Sequence, residues 1–223
     1  METLFGENAA NFWQMIMLPA FRDTFLMLII TTICGTILGA VVAVVLLVTN
    51  KNGIYPNRVI YELMSFVVNV VRSFPFVVLM VFLLPFTKAV MGTSIGVRAA
   101  VVPLTVSATA FIAKLIENAM QEVDPALIEA MRSFGISDLQ LISQVILSEA
   151  LPAIVSGIIL ATISILGATA MAGTMGAGGI GSAALIYGYQ SFNYEVMYTI
   201  AFILVIFVEA IQGIGNLVYR KLK

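Results

Sequence analysis

Few residues in this chain could do chemistry, and the most conspicuous is a glutamate inside an apolar run. Glu209 lies eleven residues before Arg220, which at 1.5 Å per residue is about 16 Å along a helix and near the middle of a bilayer. An ionisable group at that depth indicates a proton or ion site, or a carboxyl group hydrogen-bonded at a contact between helices. The residue alone leaves both interpretations open.

The sequence contains no recognisable catalytic or metal-binding set. It has no histidine and one cysteine, Cys34, so zinc and iron–sulfur sites are not expected. No GxxxxGK[ST] nucleotide-binding motif occurs. We therefore predict that the chain is not an enzyme, has no catalytic residue, and binds no metal or cofactor itself. Its net charge of −1 gives no reason to expect a nucleic-acid partner.

The composition is that of an integral membrane protein. Hydrophobic residues make up 61% of the chain and charged residues 10%, against about 25% charged in a typical soluble domain. We predict an all-α, polytopic protein that forms one transmembrane domain over residues 1–223. Five apolar runs are long enough to cross a membrane as helices, at about 25–48, 74–90, 99–116, 150–172 and 196–219.

Several features refine these helices. Gly35 and Gly39 form a pair of small residues that permits close helix packing. Polar residues recur every three or four positions from Arg58 to Arg72, which predicts an amphipathic helix, either at the membrane interface or lining a wet path. We expect a bend at Pro75, an interruption at Pro103, and a flexible or closely packed loop over the glycine-rich residues 173–188.

The longest polar stretch, residues 124–149, predicts a helix, a turn and a second helix outside the membrane. Asp124 and Pro125 suit the start of a helix. Gly135 suits its end, because glycine reaches the left-handed conformation at little cost. Ser137 with Gln140 forms a capping box for the second helix.

The basic residues predict the orientation. With the N-terminus outside and the C-terminus inside, eight of the eleven lysines and arginines lie on the cytoplasmic side. Only Arg22, Lys88 and Arg98 remain outside. This arrangement places the polar loop in the cytoplasm.

The loop resembles the EAA loop of the permeases of ATP-binding-cassette importers. Glu129, Ala130 and Gly135 match that pattern, while Met131 replaces its second alanine and Ser148 replaces its proline. Other stretches resemble the permeases of methionine importers of this class, namely RSFPF (72–76), LPFTKAVMGTSIG (84–96), VVPLTVSATAFIAKLIENA (101–119) and GAGGIG (176–181).

The resemblance implies a type I importer permease in the bacterial cytoplasmic (inner) membrane. It implies a pathway formed by two copies of the chain, two cytoplasmic ATPase subunits that bind ATP and Mg²⁺, and a binding lipoprotein or periplasmic binding protein that delivers a small amino acid, D- or L-methionine. The residues expected to couple the permease to the ATPase are Glu129, Ala130, Met131, Arg132, Ser133, Phe134 and Gly135. The alternative is an ion-coupled transporter or channel that uses Glu209. The residues that bind substrate stay unassigned.

Overall fold

A computed structural model describes residues 12–222. Residues 1–11 and Lys223 lie outside the described residues. Lys223 is one of the eight basic residues that the orientation prediction places in the cytoplasm. The described residues are almost entirely helical and contain no strand, which confirms the all-α prediction. The helices are, in chain order, α1 (Trp13–Thr49), α2 (Arg58–Ser73), α3 (Phe76–Phe82), α4 (Leu84–Met91), α5 (Val97–Gln121), α6 (Pro125–Ser133), α7 (Asp138–Ala177), α8 (Gly179–Ala183) and α9 (Tyr194–Leu222).

Four helices, α1, α5, α7 and α9, are each long and apolar enough to cross a membrane. Helices α2 and α3 pass the same test together, so residues 12–222 contain up to five spans. The helices extend beyond the predicted apolar runs, because their polar ends continue the same helical hydrogen bonding past the hydrocarbon region.

The second predicted span, residues 74–90, is wrong as a single helix. The bend expected at Pro75 is present, and α2 and α3 meet there at 109°. A further break at Leu83 separates α3 from α4, where Pro85 in the first turn has no N–H to continue the helix. Residues 74–90 are therefore divided between α3 and α4, and a fifth span requires α2 and the sharply angled α3 to count as one.

Two other expectations are corrected. Pro103 does not interrupt α5, because it lies in the second turn and deprives only the carbonyl of Ala99 of its partner. Residues 173–188 form a largely helical segment rather than a loop. Its helical path is broken at Met175 and Gly176, and α8 then continues into a π-helical segment, Ala184–Gln190.

Close packing of α1 on α5 forms the centre of the fold. A Cβ atom added at Gly35 would lie 2.8 Å from Ala108 Cβ, and one at Gly39 would lie 3.1 Å from the Thr109 carbonyl oxygen. The predicted role of this glycine pair in close packing is thus confirmed. Only a residue without a side chain lets the two helices approach this closely.

The remaining helices are arranged around this pair. The largest buried cluster, which includes Ile112, Ile116 and Ile154, lies where α1, α5 and α7 meet. Helix α9 packs on α7 through its inner face. Helix α8 is tied to α1, because the Ile180 N–H donates a 2.8 Å hydrogen bond to Thr24 Oγ1.

We predict that Gly35→Val destabilises the protein more than Gly167→Val does. Both glycines lie in membrane helices, but an added Cβ at Gly167 has no neighbour within 4 Å. The excess loss for Gly35→Val should be about 1–3 kcal/mol, as expected for overpacking. Thermal unfolding of the purified variants in detergent measures it, and equal shifts for the two variants would contradict the packing role of Gly35.

Candidate functional site

The polar loop contains one short, well-capped helix, α6. The Asp124 carboxylate accepts a 2.9 Å hydrogen bond from the Ala126 N–H at its start. At its end, Gly135 has φ +76°, the left-handed conformation that the sequence predicted. The capping box of Ser137 and Gln140 then starts α7. These three local predictions are confirmed, and they define a rigid helix between two tight turns.

The inner face of α6 packs against the ends of the membrane helices. Leu127, Ile128 and Met131 contact the buried cluster formed by α5 and α7, which here includes Met120 and Leu141. Met131, the departure from the EAA pattern, is half-buried on this face. A larger apolar side chain at that position therefore adds contact between α6 and the core.

The outer face of α6 is open. Glu129, Ala130, Arg132 and Ser133 are exposed, and Phe134 at its end is 80% exposed. A largely exposed phenylalanine outside the membrane helices is typical of an interaction surface rather than of a folded monomer's own packing. The structure thus places the seven predicted coupling residues in one turn-and-helix unit, with Met131 inward and the others outward.

A second connection holds the loop to the rest of the chain. The Tyr55 hydroxyl, in the connector between α1 and α2, donates a 2.6 Å hydrogen bond to Asp138 Oδ2. This bond stabilises the neutral phenol and raises the pKa of Tyr55 above its ordinary value. A cavity of about 510 Å³ lies between this connector and α6, and Asn50, Glu129 and Arg132 are among the residues that line it.

A buried glutamate, which the sequence interpretation missed, joins α2 to α5 just before the loop. Glu117 is 0% exposed. Its carboxylate accepts from Lys114 Nζ at 2.9 Å, from Gln121 Nε2 at 2.9 Å and from the Tyr61 hydroxyl at 3.3 Å. The spacing of Lys114, Glu117 and Gln121 places them on one face of a helix, which is the local signal that could have identified the cluster.

Glu209 lies far from these residues, in the middle of α9. The inner face of α9 packs through Phe207, Val208 and Ile211, so Glu209 is exposed on the outer face. It has no ion pair or hydrogen bond within residues 12–222. No group of three or more histidine, cysteine, aspartate or glutamate side chains suited to a metal ion occurs in the described part of the chain.

The comparisons with known proteins agree with this architecture. The family described as the binding-protein-dependent transport system inner membrane component matches residues 35–223. The chain belongs to this family. It is therefore a multi-pass inner-membrane component, and the predicted membrane location is confirmed.

Two relatives are similar over most of the chain. The probable D-methionine transport system permease protein MetI of Vibrio cholerae is 40% identical over 206 residues, which covers 92% of each chain. The methionine import system permease protein MetP of Bacillus subtilis is 39% identical over 173 residues, or 78% of each chain.

Solved structures agree with the fold. A crystal form of the inward facing MetNI methionine ABC transporter has a TM-score of 0.91 and 39% identity, covering 95% of this chain and 98% of that one. The predicted permease fold of an ABC importer is confirmed. A crystal structure of an amino acid ABC transporter, at 21% identity and a TM-score of 0.76, shares the fold.

We predict that Glu117→Leu lowers the unfolding free energy by about 2–4 kcal/mol, because it leaves the partly buried Lys114 ammonium without its partner. Replacing both partners, Glu117→Leu with Lys114→Met, should recover most of the loss. The control is Glu62→Gln, which breaks the exposed Arg58–Glu62 pair and should change stability by no more than about 0.5 kcal/mol. Thermal unfolding in detergent tests this, and a Glu117→Leu protein as stable as Glu62→Gln would contradict it.

Proposed function

We propose that the chain is the permease subunit of an ATP-driven methionine importer, that two copies form the pathway, and that α6 couples them to a separate ATPase. The observation that carries this proposal is the geometry of α6, a capped helix that rests on the ends of two membrane helices and exposes its other face. Methionine is proposed as the substrate because the chain's relatives are named as D-methionine transport permeases and a methionine ABC transporter.

The contacts of α6 suit a role in transmitting movement. Its inner face packs on α5 and α7, so a partner that moves the outer face also moves both membrane helices. The bond between Tyr55 and Asp138 extends this unit to the connector before α2. The Glu117 cluster then joins α2 to α5. A displacement of α6 would therefore reach the helices that line a pathway without any chemistry in this chain.

The outer surface of α9 supports a second copy. Only three residues of this 29-residue helix, Val196, Ile200 and Gly215, are buried within the chain. Glu209, in the middle of this helix, is exposed, and a carboxyl group facing lipid at that depth is costly. A second permease, or a water-filled path between two permeases, would remove Glu209 from lipid. A position of Glu209 at the interface between two permeases accounts for its exposure without the ion-coupled alternative.

The free energy for transport would come from the partner subunits. Two cytoplasmic ATPase subunits would bind ATP and Mg²⁺ and favour different conformations of α6 at each step, since a ligand shifts an equilibrium only by its different affinity for the two states. The proposed orientation, with the N-terminus outside and the C-terminus inside, places α6 where such subunits could reach it. A binding lipoprotein or periplasmic binding protein would deliver substrate to the opposite side.

The proposed function is tested by uptake into vesicles that contain this chain, its ATPase and its binding protein. We expect ATP-dependent uptake of labelled L-methionine, competed by D-methionine and not by basic amino acids. The chain without the ATPase should not accumulate methionine, whether or not an ion gradient is present. Gradient-driven uptake by the chain alone would instead support the ion-coupled alternative.

A separate prediction concerns Gly135. Gly135→Val should uncouple ATP hydrolysis from uptake, because a β-branched residue is strained at φ +76° and the end of α6 must change. Gly135→Asn should retain most coupling, since asparagine tolerates the left-handed conformation.

The matched control for this prediction is Gly92→Val. Gly92 has φ +73°, and an added Cβ meets nothing within 4 Å at either glycine. Gly92 ends α4 rather than α6, so its variant carries the same backbone strain away from the loop. Uptake and ATP hydrolysis are measured together in each case. Equal coupling in Gly135→Val and Gly92→Val would rule out a special role for the end of α6.

A further inference from the structure

A small cavity with an unusual lining lies between α2, α5 and α7. Its volume is about 250 Å³, and Arg72, Leu104, Ser107, Phe111, Ser164 and Ile165 contribute to its wall. Arg72 comes from the last turn of α2, the two serines come from α5 and α7, and the other three side chains are apolar. The cavity thus combines one cation and two hydroxyl groups with an apolar surface.

The cavity lies at the middle of α5, one of the helices long and apolar enough to cross a membrane. Ser107 is about 15 Å from Val97 and about 21 Å from Gln121 along α5, at 1.5 Å per residue. Arg72 lies beside the middle of α5 because α2 ends there, at the 109° bend that precedes α3. An arginine at the level of the middle of a membrane-crossing helix marks a functional site by default.

The polar groups of the cavity have no partners among the residues that the structure describes. Within residues 12–222, Arg72 forms no ion pair, and neither Ser107 nor Ser164 forms a hydrogen bond. The glutamates of α2 and α5, Glu62 and Glu117, pair with Arg58 and Lys114 instead. A guanidinium group without a carboxylate partner is available to an anionic ligand.

The polar stripe of α2 leads to this cavity. Ser65, Asn69 and Arg72 follow one another at steps of four and three residues, so they share one face of the helix. Asn69 and Arg72 are exposed within the chain, and Ser65 is partly exposed. Of the two interpretations of α2, this arrangement favours a wet path over a position at the membrane surface.

The lining selects a class of ligand. The planar fork of a guanidinium group matches a carboxylate with two parallel hydrogen bonds. The serine hydroxyls can donate to the same carboxylate or accept from an ammonium group. Leu104, Phe111 and Ile165 offer contact to an unbranched apolar side chain, and a thioether packs well against an aromatic ring. No acidic side chain lines the cavity, so basic amino acids would meet Arg72 without a compensating charge.

We infer that Arg72, Ser107 and Ser164 form a substrate subsite within the membrane that holds the carboxylate of a neutral α-amino acid during translocation. This inference rests on the importer function proposed above. It assigns Arg72 as a binding residue, with the two serines beside it. The volume suits one amino acid rather than a larger solute, since pockets for drug-sized ligands begin at about 300 Å³.

Thiol protection tests the subsite directly. Because Cys34 is the only cysteine, Cys34→Ala with Ser164→Cys leaves one thiol, which lies in the cavity. In membranes that contain the assembled transporter, L-methionine should slow labelling of this thiol by a small thiol reagent severalfold. L-methionine amide, which lacks the carboxylate, and L-lysine should not. Adding Arg72→Gln should abolish the protection, whereas Arg58→Gln, on the same helix but outside the cavity, should leave it unchanged.

Uptake measurements separate this inference from the proposed function. In the chain that keeps Cys34 and Ser164, Arg72→Gln should lower ATP-driven methionine uptake about tenfold, as expected for the loss of a hydrogen-bonded charge. ATP hydrolysis stimulated by the binding protein should persist, which a general folding defect would not allow. Uptake by Arg72→Lys should lie between that of the unmodified protein and that of Arg72→Gln, because lysine keeps the charge but loses the planar guanidinium group.

Each contrary result has a distinct meaning. Absence of ATP-driven uptake by the unmodified complex overturns the importer function. Normal uptake together with protection by the amide, protection that survives Arg72→Gln, or no protection by methionine overturns only the subsite. A Ser164→Cys thiol that never reacts would show that water and substrate do not reach the cavity, and it would overturn the subsite as well.

Discussion

The contact between α1 and α5 at Gly35 is the constraint on which the other functional elements depend. In lipid, the hydrophobic effect gives little attraction between helices, so their association depends on close packing. The 2.8 Å separation of a Gly35 Cβ from Ala108 leaves no room for a side chain there. Helix α5 is held by α1 on one side and by α7 on the other. Its middle lines the Arg72 cavity and its end carries Glu117 and leads to α6, so one packing contact fixes the position of both sites.

The features that could be predicted from the sequence depend on neighbours in the chain. Apolar runs identify most of the membrane helices, because length and hydrophobicity are properties of a segment alone. Asp124, Gly135 and the pair Ser137–Gln140 identify the limits of α6 for the same reason, since each acts on backbone groups within three residues. The proposed coupling surface could be located in this way, although the packing of Met131 on the core could not.

The features that escaped prediction need information from distant parts of the chain. The Glu117 cluster requires Tyr61, which lies 56 residues earlier. The position of Arg72 beside α5 depends on the 109° angle between α2 and α3, which no local pattern specifies. The glycines at residues 173–188 were ambiguous, because glycine permits both loops and close helical packing. In the structure, packing prevails over most of the segment, and Gly173 approaches the backbone of Ser182.

The two connections of α6 are short, and their length limits insertions and deletions next to this helix. Three residues separate α5 from α6, and four separate α6 from α7. Val123, in the first connection, is itself buried. Connections of this length cannot absorb an inserted or deleted residue, so such a change would rotate α6 or shift it relative to the membrane helices. The outer face of α6 would be free to diverge together with the surface of the proposed ATPase partner, while the number of residues on either side of the helix would not.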